Sequence, residues 1–561
     1  MHRVNDSTIV KSPSATVQLV LAGVAALLLL WGLGSTYLWQ DEAATAVLAQ
    51  RMLRFGRPLA YDGVNLITID HFAAEDVTSL DQRTADPQAA VRYYINRGDF
   101  KKDSTWKWQP WGQFVVAAAS LKMLGANTIA ARLPFALAGI LTLLILYRIC
   151  FIYLQDSRIA LLAAIFLISN AYWILHTRQC RYYSLSSLFL MLTLASYMHW
   201  QAGGRGGVPL FVLSAWGWFQ VDYGTVWPVL AILFVDALIA QRRSWWRPLL
   251  VGIVLSAAIA PFAFYYEIWG RVSVPVEPWV QRFERNLFNI NEYVGPMLIV
   301  AAAILIWSRR RNTLLSVERR LVGICCAILI AMVLWVPTVA PAAFLRYSII
   351  VAPLGCLLTA WVLVQLGKIT SSSLNPALPW IGAAIFVLTP WLSLPLHALR
   401  PRTLLHATVL RPELNLLRER VFGHPLDPNR PVIEWLRQNA APDDEILINY
   451  EDVPLMFYLP NPIRGGIAAF RVEDDSRKPP EFLVLRRSVT FVHWPVFERE
   501  MQRYAWAPIP VEAPDIVCGV CPDPVERSHP AHPLPIYVAR RVGASDTSRQ
   551  KPSEEAISPG H

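Results

Sequence analysis

The chemistry-bearing residues of this chain begin with one stretch, Trp39-Gln40-Asp41-Glu42-Ala43-Ala44-Thr45-Ala46, just beyond the first apolar run. Charge beside hydrocarbon is costly and by default marks a functional site. A carboxylate held against a hydroxyl can take its proton, so Asp41 is a candidate general base and Glu42 its companion. Asp at a helix start is also a good N-cap, and the two uses are compatible because a helix N-terminus favours the carboxylate. Glu42, about 100° further round the helix, turns toward lipid headgroups on this reading. Cations able to meet a phosphate are spread along the chain: Lys107, Arg178, Arg181 and Arg346, the last followed by Tyr347. Arginine offers a two-pronged fork to phosphate oxygens, although an Arg at a span end also serves as a snorkelling surface charge. Gln109, Tyr182 and Asp222 complete the candidate cavity, although Asp222 before Tyr223-Gly224 also fits ordinary turn chemistry. His176 reads as an interface histidine rather than a ligand.

These residues need a scaffold, and composition says which kind. The 561 residues are 54% hydrophobic and 16% charged, too apolar for an ordinary soluble enzyme and typical of a multispanning membrane protein. The 22 Trp and 19 Tyr suit membrane interfaces. Eleven apolar runs centre near 17–38, 128–153, 158–176, 183–201, 207–220, 224–241, 246–267, 292–308, 320–338, 344–366 and 377–398. The first matches the bilayer core rather than a signal peptide, and no small-residue cleavage site follows it, so it reads as a retained span. The net charge of +10 does not point to nucleic acid. Much of it sits in short links, at Arg148, Arg158, Arg205, Arg242, Arg243, Arg309, Arg310, Arg311, Arg319, Arg320 and Lys368, with Arg3 and Lys11 before the first run. By the positive-inside rule those links are cytoplasmic. The N-terminus is then cytoplasmic, and the candidate residues collect on the opposite, outer side with the C-terminal segment.

In the outer loop, 39–127, Asp41–Phe55 reads as an amphipathic helix lying on the membrane, stopped by Gly56. A second helix is expected over Trp111–Leu124, with a flexible or substrate-covering loop over 62–105 between them. Residues 1–399 thus form the membrane domain and 400–545 a small α/β domain outside it. That domain's expected helices are Pro431–Asn439 and Val496–Tyr504, and its strands Glu445–Tyr450, Glu481–Arg486 and Pro535–Val538. Residues 546–561 read as a disordered tail. Cys150, Cys180, Cys325, Cys326 and Cys356 lie in or beside apolar runs and read as buried thiols. Cys518-Gly-Val-Cys521, with His529 and His532 nearby, has metal-like spacing, but outside the cytoplasm a local disulfide is favoured over zinc.

Trp39-Gln40-Asp41-Glu42 with Met52-Leu53-Arg54-Phe55-Gly56 resembles the first-loop signature of GT-C glycosyltransferases, notably the protein O-mannosyltransferase and lipid A aminoarabinose transferase group. Trp108-Gln109-Pro110-Trp111 and Ala131-Arg132-Leu133-Pro134-Phe135 resemble that family's second segment, and Phe344-Leu345-Arg346-Tyr347 its late Arg-Tyr motif. Val432-Ile433-Glu434-Trp435-Leu436 with Phe457-Tyr458 is similar to its outer domain. The resemblance implies an α-helical polytopic GT-C fold. It also implies a polyprenyl-phosphate sugar donor, a lipid, glycan or protein acceptor, and inverting transfer with Asp41 as base at the periplasmic face of the bacterial inner membrane. Gln109 stands where several relatives carry Lys, Gln179 where some carry Glu, and Asp222 where a His is common. The resemblance therefore fixes neither the phosphate ligands nor a metal site: no cofactor is implied, and a divalent metal stays open. No Gly-rich phosphate loop joins a strand to a helix, so no nucleotide site is expected. The alternative is a transporter or flippase of lipid-linked sugars, against which no internal inverted repeat is found. A non-enzymatic assembly subunit is the second rival.

Overall fold

The computed structural model describes residues 13–68, 86–270, 277–294, 297–311, 314–340, 342–369, 376–389, 411–488, 493–516 and 534–543. The chain begins with helix α1 (Ala15–Leu30), α2 (Gln40–Phe55), α3 (Pro87–Arg97), α4 (Gly112–Leu124), α5 (Thr128–Leu154) and the bent pair α6 (Ser157–Ser169) and α7 (Ala171–Thr177). It continues through α8 (Tyr183–Gln201), α9 (Gly207–Phe219), α10 (Tyr223–Ala240), α11 (Trp246–Tyr266), α12 (Trp279–Val294) and α13 (Met297–Arg311). Then come α14 (Ser316–Val339), the single turn α15 (Leu345–Ser348), α16 (Ala352–Ile369) and α17 (Leu378–Leu388). Each expected apolar run contains a helix. Among the described residues five are long and apolar enough to cross a membrane, or six if α6 and α7 form one span. The α15–α16 segment is the most enclosed of these, whereas α11 exposes Leu249, Leu250, Ile253 and Val254, the pattern expected where lipid is the solvent.

The first run departs from its expected length. Its helix ends at Leu30, and the chain turns from there toward Leu38. Arg178 supplies the reason: its guanidinium donates to the Leu28 carbonyl at 2.5 Å and the Trp31 carbonyl at 2.7 Å, satisfying terminal acceptors that continued helix would have used.

Both outer-loop helices form where expected, and α2 ends at Gly56 with φ 74°. Of the stretch between them, residues 69–85 lie outside the described residues, and the described part carries regular structure. Asp86 caps α3 by accepting from Gln88 N at 2.8 Å, with Pro87 opening the helix. Isolated bridges pair Leu59 with Thr105 and Phe100 with Trp106. Arg51 holds the turn after α2 by donating to the Leu59, Ala60 and Asn65 carbonyls. Gly112 is required at the start of α4: its N–H donates to the Gln220 carbonyl at 2.7 Å, and a Cβ there would meet that oxygen at 2.5 Å.

The C-terminal part carries α18 (Pro412–Phe422), which packs on α7, and then α19 (Arg430–Asn439), α20 (Asp452–Tyr458) and α21 (Trp494–Gln502) with one sheet. Its strands are β1 (Ile446–Ile448), β2 (Ile463–Gly465), β3 (Phe482–Leu485), β4 (Trp506–Ile509) and β5 (Tyr537–Arg541), in the order β2-β1-β3-β5-β4. β2, β1 and β3 are parallel, whereas β5 runs antiparallel to β3 and β4. Strand alternation gives the sheet two apolar faces. Ile446, Ile448, Phe482 and Val484 pack with Val432, Ile433 and Leu436 of α19, while Leu447, Leu483 and Leu485 pack with Phe497 and Met501 of α21. β2, β4 and α20 lack the period that marks the other elements. The tail 546–561 and Cys518, Cys521, His529 and His532 lie outside the described residues.

Candidate active site

Asp41 is the second residue of α2, and its carboxylate is 23% exposed. It does not cap the helix. Trp39 holds that position, its carbonyl accepting from Ala43 N, which leaves the Asp41 side chain available. Two guanidiniums flank the carboxylate: Arg181 Nη2 at 3.5 Å and Arg346 Nη1 at 3.9 Å. Arg181 comes from the link between α7 and α8 and also donates to the Asp41 carbonyl at 3.1 Å. Burial lowers the pKa of the Arg181 guanidinium, but Asp41 together with Tyr183 and Tyr182 outweighs it, leaving a net rise above the ordinary arginine value.

Arg346 comes from α15 and lies over the Phe344 ring at 4.2 Å and the Tyr347 ring at 5.6 Å from its centroid. Its turn is fixed from behind by α12, where Asn289 Nδ2 donates to the Ala343 carbonyl at 2.9 Å and Arg282 Nη1 to the Ala340 carbonyl at 2.6 Å. A polar chain also leads from Arg181 to the second loop helix. Arg181 Nη1 reaches Thr45 Oγ1 at 3.5 Å, Thr45 donates to Gln113 Oε1 at 3.4 Å, and Gln113 donates to Gln109 Oε1 at 3.3 Å. Tyr182 lies 5.7 Å under Arg181 and within electrostatic reach of Tyr347 and Asp222. Asp222 caps α10, accepting from Gly224 N at 2.8 Å and from Thr225 Oγ1 and Ser186 Oγ. Arg181 and Arg346 thus flank Asp41 directly, while Tyr182, Tyr347, Asp222 and Gln109 join them through neighbouring side chains, the six residues coming from four segments outside α2.

Three predicted residues face elsewhere. Glu42 meets neither lipid nor solvent. It is fully buried, receives Arg132 Nε at 2.8 Å and Nη2 at 2.7 Å, and accepts from Cys180 N at 2.8 Å. Both its oxygens are used in fastening α2 to α5 and to the Arg181 link. Arg178 is occupied with the end of α1. Lys107 Nζ pairs with Glu267 Oε2 at 2.5 Å, joining the loop to the end of α11. His176 is buried, with Nδ1 2.8 Å from the Tyr172 carbonyl. Among the described residues no three His, Cys, Asp or Glu side chains gather to hold a metal ion. An apolar groove of about 760 Å³, lined by Trp227, Leu230, Phe234, Ile253, Ile259 and Trp269, runs beside α10.

The residues around Asp41 include several absent from the expected set. Arg132 is a cation near the start of an apolar run, and its burial signals a buried partner. Gln40 joins α2 to α20: its Nε2 donates to Asp452 Oδ1 at 2.9 Å, and its Oε1 accepts from Val453 N at 3.3 Å. Asn429 Nδ2 donates to the Leu38 carbonyl at 3.1 Å and to Glu451 Oε2 at 2.9 Å. Tyr458 stacks on Tyr37 with centroids 4.1 Å apart and accepts from Leu38 N at 3.0 Å.

The architecture has solved counterparts. The crystal structure of ArnT from Cupriavidus metallidurans bound to undecaprenyl phosphate superposes with a TM-score of 0.55 at 14% identity, covering 95% of this chain and 99% of that one. The apo ArnT structure gives 0.52 at 14% identity, covering 94% and 98%. These likenesses show the fold: the chain has the architecture of ArnT along nearly its whole length. No protein-family profile matches the sequence, and no curated protein matches it.

Proposed function

We propose that the protein is a GT-C glycosyltransferase that moves a sugar from a polyprenyl-phosphate-linked donor to an acceptor at the periplasmic face of the bacterial inner membrane, with inversion. The observation that carries this reading is the carboxylate of Asp41 between Arg181 and Arg346, at the outer ends of apolar helices. The ArnT fold and the undecaprenyl phosphate bound by that protein support the donor class.

The acceptor hydroxyl attacks the anomeric carbon while Asp41 takes its proton. The bond from the anomeric carbon to the phosphate oxygen breaks on the opposite side, which inverts the centre. The departing polyprenyl phosphate carries the new negative charge, and Arg346 and Arg181 receive it as pre-placed cations. In the free protein those guanidiniums face Asp41, so an arriving phosphate competes for them and releases the carboxylate toward the acceptor. Glu42, Arg178 and Lys107 hold the framework instead. The groove beside α10 takes the isoprenoid chain, its wall being apolar. With the N-terminus inside and the first apolar run crossing the membrane, the site lies outside the cytoplasm on this reading.

The test is transfer by the purified full chain in nanodiscs. Radiolabelled undecaprenyl-phosphate hexose or pentose is the donor, and envelope extract from cells lacking the protein is the acceptor pool. Asp41→Asn is expected to lower the rate by about 10²- to 10⁴-fold, the usual worth of a positioned base. A rate near the wild-type value in this variant would sink the mechanism.

A further inference from the structure

Two acidic residues of the C-terminal part converge on the helix that carries Asp41. Glu451 and Asp452 follow β1, are 1% and 3% exposed, and stand at the start of α20. Asp452 is in reciprocal contact with Gln40, the residue before Asp41. Glu451 shares Asn429 with the Leu38 carbonyl, three residues before Asp41. Its second oxygen, Oε1, is buried without a hydrogen-bond partner, and its backbone is held at φ 65°, where a residue with a side chain is strained. A buried acid with one idle oxygen and a strained backbone is costly, and it persists only where the surrounding structure enforces it.

We propose that Glu451 and Asp452 are positioning residues for Asp41, acting through Gln40 and Asn429. Together they form a latch that seats the C-terminal sheet on the start of α2. The inference rests on the glycosyltransferase reading only for its activity assay. The groups acting most strongly on Glu451 are Arg486 from the end of β3, its neighbour Asp452 and Asp41 itself. Arg486 is committed to Asp515 at 2.8 Å, which leaves two carboxylates facing a third. Burial, with Asp452 and Asp41 adding to it, pushes the Glu451 carboxyl up to about 7 despite Arg486 and Asn429, and burial pushes Asp452 up to about 6. Both carboxyls therefore hold a proton in the seated state more tightly than in the unfolded chain. Seating is strongest below the ordinary carboxyl pKa of about 4 and weakens as pH rises toward 7, the full cost being present above that.

The variants are Glu451→Gln and Asp452→Asn, which imitate the protonated forms without changing shape, and each is measured by transfer rate and by thermal unfolding across pH. The wild-type rate is expected to fall about tenfold from pH 6 to pH 8, the change in protonated fraction of a group titrating near 7. Glu451→Gln should keep the pH 6 rate and lose most of that fall. The wild-type unfolding midpoint should drop between pH 5 and 7, and the double variant should hold it nearly level. If Glu451→Gln retains the wild-type pH profile while Asp41→Asn is inactive, the latch is refuted and the glycosyltransferase reading stands. If Asp41→Asn is fully active, the transfer mechanism fails, and the unfolding profiles alone decide the latch: parallel profiles for wild type and the double variant overturn it.

Discussion

At Asp41 and Glu42 two neighbouring carboxylates have been given opposite work by what surrounds them. Asp41 keeps partial exposure between two guanidiniums, whereas every oxygen of Glu42 is used by Arg132 and Cys180 N. Glu42 variants should therefore lose structure rather than chemistry. Breaking a buried pair leaves an uncompensated charge, at a cost of about 3–5 kcal/mol. Glu42→Ala should lower the unfolding midpoint sharply, and Glu42→Leu combined with Arg132→Met should recover much of the loss; a Glu42→Ala protein of unchanged midpoint would contradict this. The cation beside Asp41 gives the complementary expectation. Arg346→Ala removes a charge-assisted contact to phosphate of about 1.5–3 kcal/mol, so affinity for undecaprenyl phosphate should fall roughly 10- to 100-fold by titration of the purified protein. Unaltered affinity would remove Arg346 from the donor site.

At the scale of elements, arginines of similar appearance differ by what they end or join. Arg178 closes α1 by binding its last carbonyls, and Lys107 joins the outer loop to Glu267. Arg178→Ala is thus expected to reduce thermal stability while leaving undecaprenyl phosphate affinity within about twofold, since additive effects on binding arise from the residues that touch the ligand. A loss of affinity matching that of Arg346→Ala would return Arg178 to the phosphate site. The single turn α15 depends in the same way on α12, whose Asn289 and Arg282 hold the carbonyls just before Arg346. α12 is amphipathic, with its apolar and amide-bearing face turned toward α14 and α15, so it works as a brace for that cation rather than as a span.

Across the whole molecule, the helical part supplies cations and an apolar groove, and the sheet closes over the first loop. The groove beside α10 makes chain length the natural readout for the lipid part of the donor. Ala260→Phe, which fills the groove, should raise KM for an undecaprenyl donor several-fold while leaving a short-chain isoprenoid donor unaffected. Equal effects on both donors would place the lipid elsewhere. The contacts of Tyr37, Leu38 and Gln40 with Asp427, Asn429, Asp452 and Tyr458 show how the C-terminal part reaches the helix that carries Asp41. Loss of the sheet is therefore expected to disturb Asp41 itself and not only access to it.

The sequence by itself determined what depends on neighbours a few residues apart. Apolar runs became helices because a helix satisfies its own backbone within the run. α2 ended at its glycine, and three strands stood out by their β-branched and aromatic residues. Asp41 was legible because an acid at the edge of an apolar run is costly whatever the fold around it. Only the tertiary structure decided which cation serves that acid, because Arg178 and Arg181 are three residues apart and identical in type, yet point to opposite sides of one link. It also decided that Glu42 is an anchor, through an Arg132 ninety positions away, and that Glu451 and Asp452 meet the start of α2 across more than four hundred residues. No local pattern encodes such pairings: they arise when separate elements, each shaped by its own period, bury their apolar faces together and bring their few polar groups into contact.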